Sequence, residues 1–284
     1  MELRPATVED RDPVCALGVV EEDAWFGSAE HTAGEVGEWI DEEGGFDGGV
    51  VAVDAEQGVR GFASPGRHGM VYLADPAEPD ALADLLLPWL QEQRDAVQLL
   101  TFGADLARIG AFERHGLRHV RSSFTLARPA AAGPLPDAAF PAGVGSAGYR
   151  LGEDDEAVHR LVYVDAAFGA VEGHTERDLG EWREKERRSS MFLARRDSRP
   201  VGFVSGHIGG GGRGEVGQLA VAAGERGRGI GRALLLQAFG DLQTAGAHDL
   251  SLDVEADNEA ALGLYRSVGL GIEREWRTYS TAAR

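Results

Sequence analysis

A chain of 284 residues with 43% apolar content can bury one large core or two of ordinary size. Its formal net charge of −19 argues against nucleic acid and anionic membranes as partners and suits cationic ligands such as amines. The single cysteine, Cys15, rules out an intrachain disulfide and any metal centre built on paired cysteines. No apolar run approaches a membrane span, and the first residues are acidic rather than a basic-then-apolar signal, so a cytoplasmic protein is expected.

The spacing of apolar residues predicts a first block over 1–128. A strand at 3–6 leads to a helix over 7–24, and Trp39 and Ile40 belong to a second helix. Residues 49–53 and 59–64 read as a hairpin pair, with a further strand at 70–73. A helix over 80–93 turns Leu82, Leu85, Leu86 and Leu90 inward and is interrupted by Pro88. A strand at 97–102, a helix at 106–115 and a strand at 120–126 close the block. Residues 129–148, rich in Pro, Ala and Gly without periodicity, read as a linker.

The order recurs over 149–284. A strand at 149–151 precedes a helix at 154–167 and a charged helix at 177–188 with Leu179 and Trp182 inward. Strands at 191–195 and 200–208 meet at the glycine run 209–212, a hairpin tip. A strand at 215–221, a helix from 230, a strand at 250–254, a helix at 259–268 and strands to 279 follow. The repetition shows residue against residue. GFAS at 61–64 matches GFVS at 202–205, offset by 141 (202 − 61), and FERHGL at 112–117 matches YRSVGL at 265–270, offset by 153 (265 − 112). The first copy is therefore twelve residues shorter between these landmarks (153 − 141). There it reads ADPAEPDALAD, acidic and without glycine, where the second copy reads AAGERGRGIG.

That second stretch has the chemistry of an anion cradle. A strand enters a turn dense in glycine and arginine, and a helix leaves it. The first amides of a helix have no internal acceptor, and the helix dipole adds partial positive charge there. Gly227, Gly229 and Gly231 allow close backbone approach, and Arg226, Arg228 and Arg232 add charge. The P-loop pattern is absent, since the only lysine is Lys185, and the dinucleotide fingerprint fails at Leu234.

RGRGIG at 226–231 instead fits R-x-x-G-x-G, with LAV at 219–221 before it and DNEAALGLYRSVGL at 257–270 after it. On these segments the chain resembles the GNAT superfamily of acyl-CoA-dependent N-acyltransferases. The resemblance implies an α/β fold of two tandem GNAT-like domains, each a mostly antiparallel mixed sheet flanked by helices. The first, 1–128, is degenerate, and the second, 149–284, is catalytic. It implies acetyl-CoA as cosubstrate, no metal, and a small-molecule primary amine as the other partner, attacking directly in a ternary complex. No covalent enzyme intermediate is expected.

The same resemblance assigns roles. Leu219 to Val221 would pair through the backbone with the pantetheine arm, the Val221 N–H facing the thioester oxygen. Arg226, Gly227, Arg228, Gly229, Ile230 and Gly231 would hold the pyrophosphate, mainly through main-chain amides, with Arg232 on a phosphate. Tyr265 would be the general acid for the thiolate, and Asn258 would bind CoA or cap its helix. Glu215 would be the general base, with His207 as its rival. Glu172, His174 and Glu176 lie where the acceptor pocket is expected. A non-catalytic acyl-CoA-binding regulator is the reading from another class, favoured by the decayed first copy and disfavoured by the intact loop with Tyr265.

Overall fold

Alternation along the first strands sorts their side chains to two faces, and helices cover both. The computed structural model describes residues 1–43, 45–66, 70–166, 178–180, 182 and 190–281. Its chain divides into two units, Met1–Ser123 with Arg274–Arg284 and Phe124–Glu273.

In the first unit, β1 (Glu2–Pro5), β2 (Val50–Val53), β3 (Val59–Ser64) and β4 (Val71–Ala74) form an antiparallel sheet in that order. Val51, Val53, Phe62, Val71 and Leu73 face α1 (Arg11–Phe26) and α2 (Ala33–Glu42), where they meet Val14, Leu17 and Ile40. Val50, Ala52, Ala63, Tyr72 and Ala74 face α3 (Pro79–Gln93) and α4 (Leu106–Arg114). The helix α3 runs on through Pro88, and Leu90 beyond it is wholly buried, so the expected interruption does not end it. Between the two helices lies β5 (Gln98–Phe102); β6 (Arg118–Arg128) then leads out of the unit.

The edge of β5 is covered by the last strand of the chain, β12 (Gly271–Ser280), which pairs with it antiparallel from Trp276↔Phe102 to Ser280↔Gln98. Trp276 joins Trp25, Phe26 and Phe102 in an aromatic cluster with ring centroids 5.2–6.2 Å apart. Residues 274–281 therefore belong to the first unit although they follow the second in sequence.

The second unit holds β7 (Gly145–Gly148), α5 (Asp155–Arg160) with a π turn at Leu161–Asp165, β8 (Ser190–Arg196), β9 (Arg199–Ile208), β10 (Gly214–Val221), α6 (Ile230–Thr244), β11 (Leu250–Glu255) and α7 (Glu259–Ser267). Its strands lie in the order β11-β10-β9-β8-β7, with β10 and β11 parallel and the other pairs antiparallel. One face packs on α6 and α7 through Leu234, Phe239 and Leu242; burial of each large apolar side chain contributes about 2–3 kcal/mol. The other face packs Phe203 and Ala220 on Val158, Leu161 and Trp182.

The residues expected as a linker, 129–148, lie inside this second unit. Val144 is buried, and Leu135 and Phe140 pack against the α6 core. The Arg128 guanidinium donates to the carbonyls of Ala132, Gly133 and Pro134 at 3.3, 2.9 and 3.1 Å, pinning the turn. The unit's first strand is β7, at residues 145–148 rather than 149–151. Most of the charged helix expected at 177–188 lies outside the described residues; Trp182 within it is buried, its amide bonded to the Asp178 carbonyl at 2.9 Å. No helix among the described residues is long and apolar enough to cross a membrane.

Candidate active site

Strand β10 carries the site because its neighbours leave it at different points. From Gly214 to Val216 it pairs with both β9 and β11. Gly217 is one residue too many for the register with β9, a bulge. Beyond it, residues 218–221 still pair with 205–202 of β9 but no longer with β11. The Ala222 amide donates to the Val201 carbonyl at 3.0 Å. By alternation, the amides of Leu219 and Val221 point the other way, into the gap left by β11. Two strands that start paired and then part present open main-chain groups on one side.

The chain then makes a 3-10 turn (Ala223–Glu225) and enters α6. Gly227 and Gly229 sit at φ 73° and 85°, left-handed conformations that strain any residue with a Cβ. Gly229 is the N-cap of α6, so the free amides of the first turn face outward without a capping side chain. A Cβ on Gly231 would come within 3.5 Å of both Val221 and Leu264. The first turn of α6 thus lies against the end of β10 and against α7.

The loop arginines do not all point to a phosphate. Arg226 donates through Nε to the Val221 carbonyl (3.1 Å) and through Nη2 to the Ala166 carbonyl (2.7 Å). Arg228 reaches Glu225 at 3.3 Å, and the same buried carboxylate holds Arg196 at 3.2 Å. These two arginine side chains brace the turn from within, while the main-chain amides of the turn are left for the expected anion. Arg232 alone of the three has no side-chain partner among the described residues.

Tyr265, on α7, is buried in the α6 core. Burial pushes its phenol up to about 12, so it holds its proton at any physiological pH. The unfolded chain releases that proton near pH 10. The native state then binds more protons, so the stability contributed is complete below pH 10 and falls as pH rises toward 12. Urea midpoints measured across that window should drop for the wild type, and Tyr265→Phe should remove about 2 kcal/mol of the drop. Asn258 caps α7, its side chain accepting from the Ala261 amide at 3.1 Å. The capping role is therefore the one its geometry shows.

Glu215 stands opposite His207 on β9, with Nε2–Oε2 at 3.7 Å and a carboxylate one-third exposed. Val216 packs toward α6, so Glu215 and His207 face the other side of the sheet. Acid and base candidates therefore lie on opposite faces of β10. Sequence reasoning passed over Gln218, which follows the bulge and interrupts an otherwise apolar run; a polar residue there was the available signal. Glu172, His174 and Glu176 lie outside the described residues.

The first unit has the same strand geometry with the slot filled. Gly61 lies opposite Ala74 as Gly202 lies opposite Val221, and Asp75 donates to Arg60 at 2.8 Å as Ala222 does to Val201. Ala74 is thus the counterpart of Val221, its amide also facing away from the neighbouring strand. That amide donates to Glu21 Oε1, and its carbonyl accepts from Arg108 Nη2 at 3.4 Å. Glu21 and Arg108 are ion-paired and buried, with Arg108 lying 5.0 Å from the Trp25 ring and 5.3 Å from the Tyr72 ring. The chain then enters α3 through Pro79 rather than through a glycine turn.

Residues 156–270 match the Acetyltransferase (GNAT) family. The chain is 29% identical over 256 residues to a mycothiol acetyltransferase of Rhodococcus jostii (strain RHA1), covering 76% of this chain and 84% of that one. To the mycothiol acetyltransferase of Pseudarthrobacter chlorophenolicus it is 31% identical over 230 residues, covering 75% and 71%. Among solved structures, a GCN5-related N-acetyltransferase from Sphaerobacter thermophilus superposes with a TM-score of 0.77 at 21% identity, over 98% of this chain and 94% of that one. A tandem GNAT protein from the clavulanic acid biosynthesis pathway gives 0.75 at 14% identity, over 100% and 99%. With the parted strands, the glycine turn at a helix start and relatives that span most of its length, the chain belongs to the GNAT family of acetyltransferases.

Proposed function

We propose that the second unit transfers an acetyl group from acetyl-CoA to a primary amine of a small molecule, by direct attack within a ternary complex. The observation that carries this is the parting of β10 from β11 after Val216 beside the uncapped start of α6. The residues fit the donor. The amides of 227–231 and Arg232, whose side chain has no partner among the described residues, would take its pyrophosphate. The outward amides of Leu219 and Val221 would hold the pantetheine arm and polarise the thioester carbonyl. Acetyl-CoA supplies the activated acyl group. The chain's own residues orient the carbonyl, accept the amine's proton through Glu215 with His207 beside it, and hold a proton at Tyr265 Oη for the departing sulfur. The net charge of −19 favours a cationic acceptor.

A narrower reading is that the acceptor is of the kind used by the mycothiol acetyltransferases, favoured by the alignment that spans 84% of the Rhodococcus jostii chain. The test is calorimetric binding of acetyl-CoA followed by turnover against an amine panel that includes mycothiol precursors. Binding to the wild type with at least tenfold weaker binding by Gly229→Val is expected, because valine cannot adopt φ 85° without strain. Tight binding with no turnover of any amine would favour a non-catalytic regulator, and no binding at all would end the acyltransferase reading.

A further inference from the structure

The slip at Gly217 has a second effect on the face that carries Glu215. Without the bulge, Glu215 and Leu219 would share a face. With it, Leu219 and Val221 turn to the α6 core, and Ala220 turns to the cluster of Val158, Trp182 and Phe203. Gln218 sits between, opposite Ser205, on the face of Ala220 and of Glu215. Its Oε1 is buried without a partner, although the residue as a whole is only half-buried, and its side-chain amide makes no hydrogen bond among the described residues. A buried amide oxygen without a partner is uncommon and destabilising, and it calls for an explanation.

Position supplies one. Gln218 immediately precedes Leu219, the first open amide. One face is filled by α6 and α7 with Tyr265, and the other is covered at Ala220 by Val158, Leu161 and Trp182, so an acceptor approaches by way of the more exposed Glu215 and Gln218. The attacking nitrogen must come within about 3–3.5 Å of the thioester carbon, close to the plane of the sheet. The Gln218 amide ends a long side chain standing off that plane. It therefore meets the part of the acceptor next to the nitrogen rather than the nitrogen itself. An amide offers one acceptor and one donor group, and a hydroxyl can answer either.

We infer that Gln218 is a specificity-determining residue for the acceptor and that the acceptor carries a hydroxyl beside its amine. The inference rests on the acyl-transfer reading above, and the two fail in different ways. The experiment compares trans-2-aminocyclohexanol with cyclohexylamine as acceptors for acetyl-CoA, in the wild type, Gln218→Leu and Gln218→Glu. The wild type is expected to prefer the amino alcohol by at least tenfold in kcat/KM, carried mainly by KM. Gln218→Leu should bring the two amines within about twofold while leaving acetyl-CoA affinity and the rate with cyclohexylamine unchanged. Gln218→Glu, which keeps an acceptor oxygen, should retain the preference. A wild type that treats the two amines alike, or that binds acetyl-CoA and uses neither, overturns the assignment; so does a leucine variant that keeps the preference or loses both activities together. Failure to bind acetyl-CoA at all removes the underlying reading instead.

Discussion

Tyr265→Phe should lower kcat by about 10²-fold or more, the usual worth of a positioned acid, while leaving acetyl-CoA affinity within twofold. The phenol is buried, holds its proton to about 12 and makes no hydrogen bond to the protein among the described residues. Deleting its oxygen therefore breaks no protein contact, and the ring that fills the core remains. Because the group stays protonated, the kcat profile of the wild type should show no falling limb from Tyr265 below pH 10. A loss under threefold, or a loss that tracks a lower melting temperature, would leave Tyr265 as a core aromatic only.

The largest effect on stability should come from the first unit. Glu21→Leu is expected to cost about 3–5 kcal/mol, since it leaves the buried Arg108 charge only the Asp105 carboxylate at 3.5 Å and leaves the Ala74 amide without its acceptor. Adding Arg108→Met should recover more than half of that loss, because removing both buried charges is far less costly than leaving one without its main partner. Urea denaturation of the single and double variants measures the difference, and additive losses would contradict a coupled pair. Neither variant is expected to gain acyl-CoA binding through the first unit. The acidic stretch from Asp75 to Asp84 offers no glycine turn at the head of α3 even when the slot is emptied.

The parts of this protein that rest on local chemistry were legible in the sequence. The turn at 226–231, the strand before it and the helix with Tyr265 each announce themselves by spacing, and the GFAS and GFVS matches betray the repeat. What escaped depends on partners far along the chain. Residues 145–148 have the composition of a linker and become an edge strand only because β8 offers them a ladder. The side chains of Arg226 and Arg228 also hold Ala166 and Glu225, contacts that no local spacing announces. Glu21 is one acidic residue among 47 acidic side chains, and nothing local pairs it with Arg108, 87 positions away.

The placement of β12 has a consequence for biosynthesis. Synthesis runs from the amino end, yet the edge of β5 is closed by residues 276–280, which are made only after the whole of the second unit. The first unit should therefore stay partly open until the second has been made, and a chain cut before residue 276 would leave β5 without the strand it pairs with, an exposed edge in the part made first.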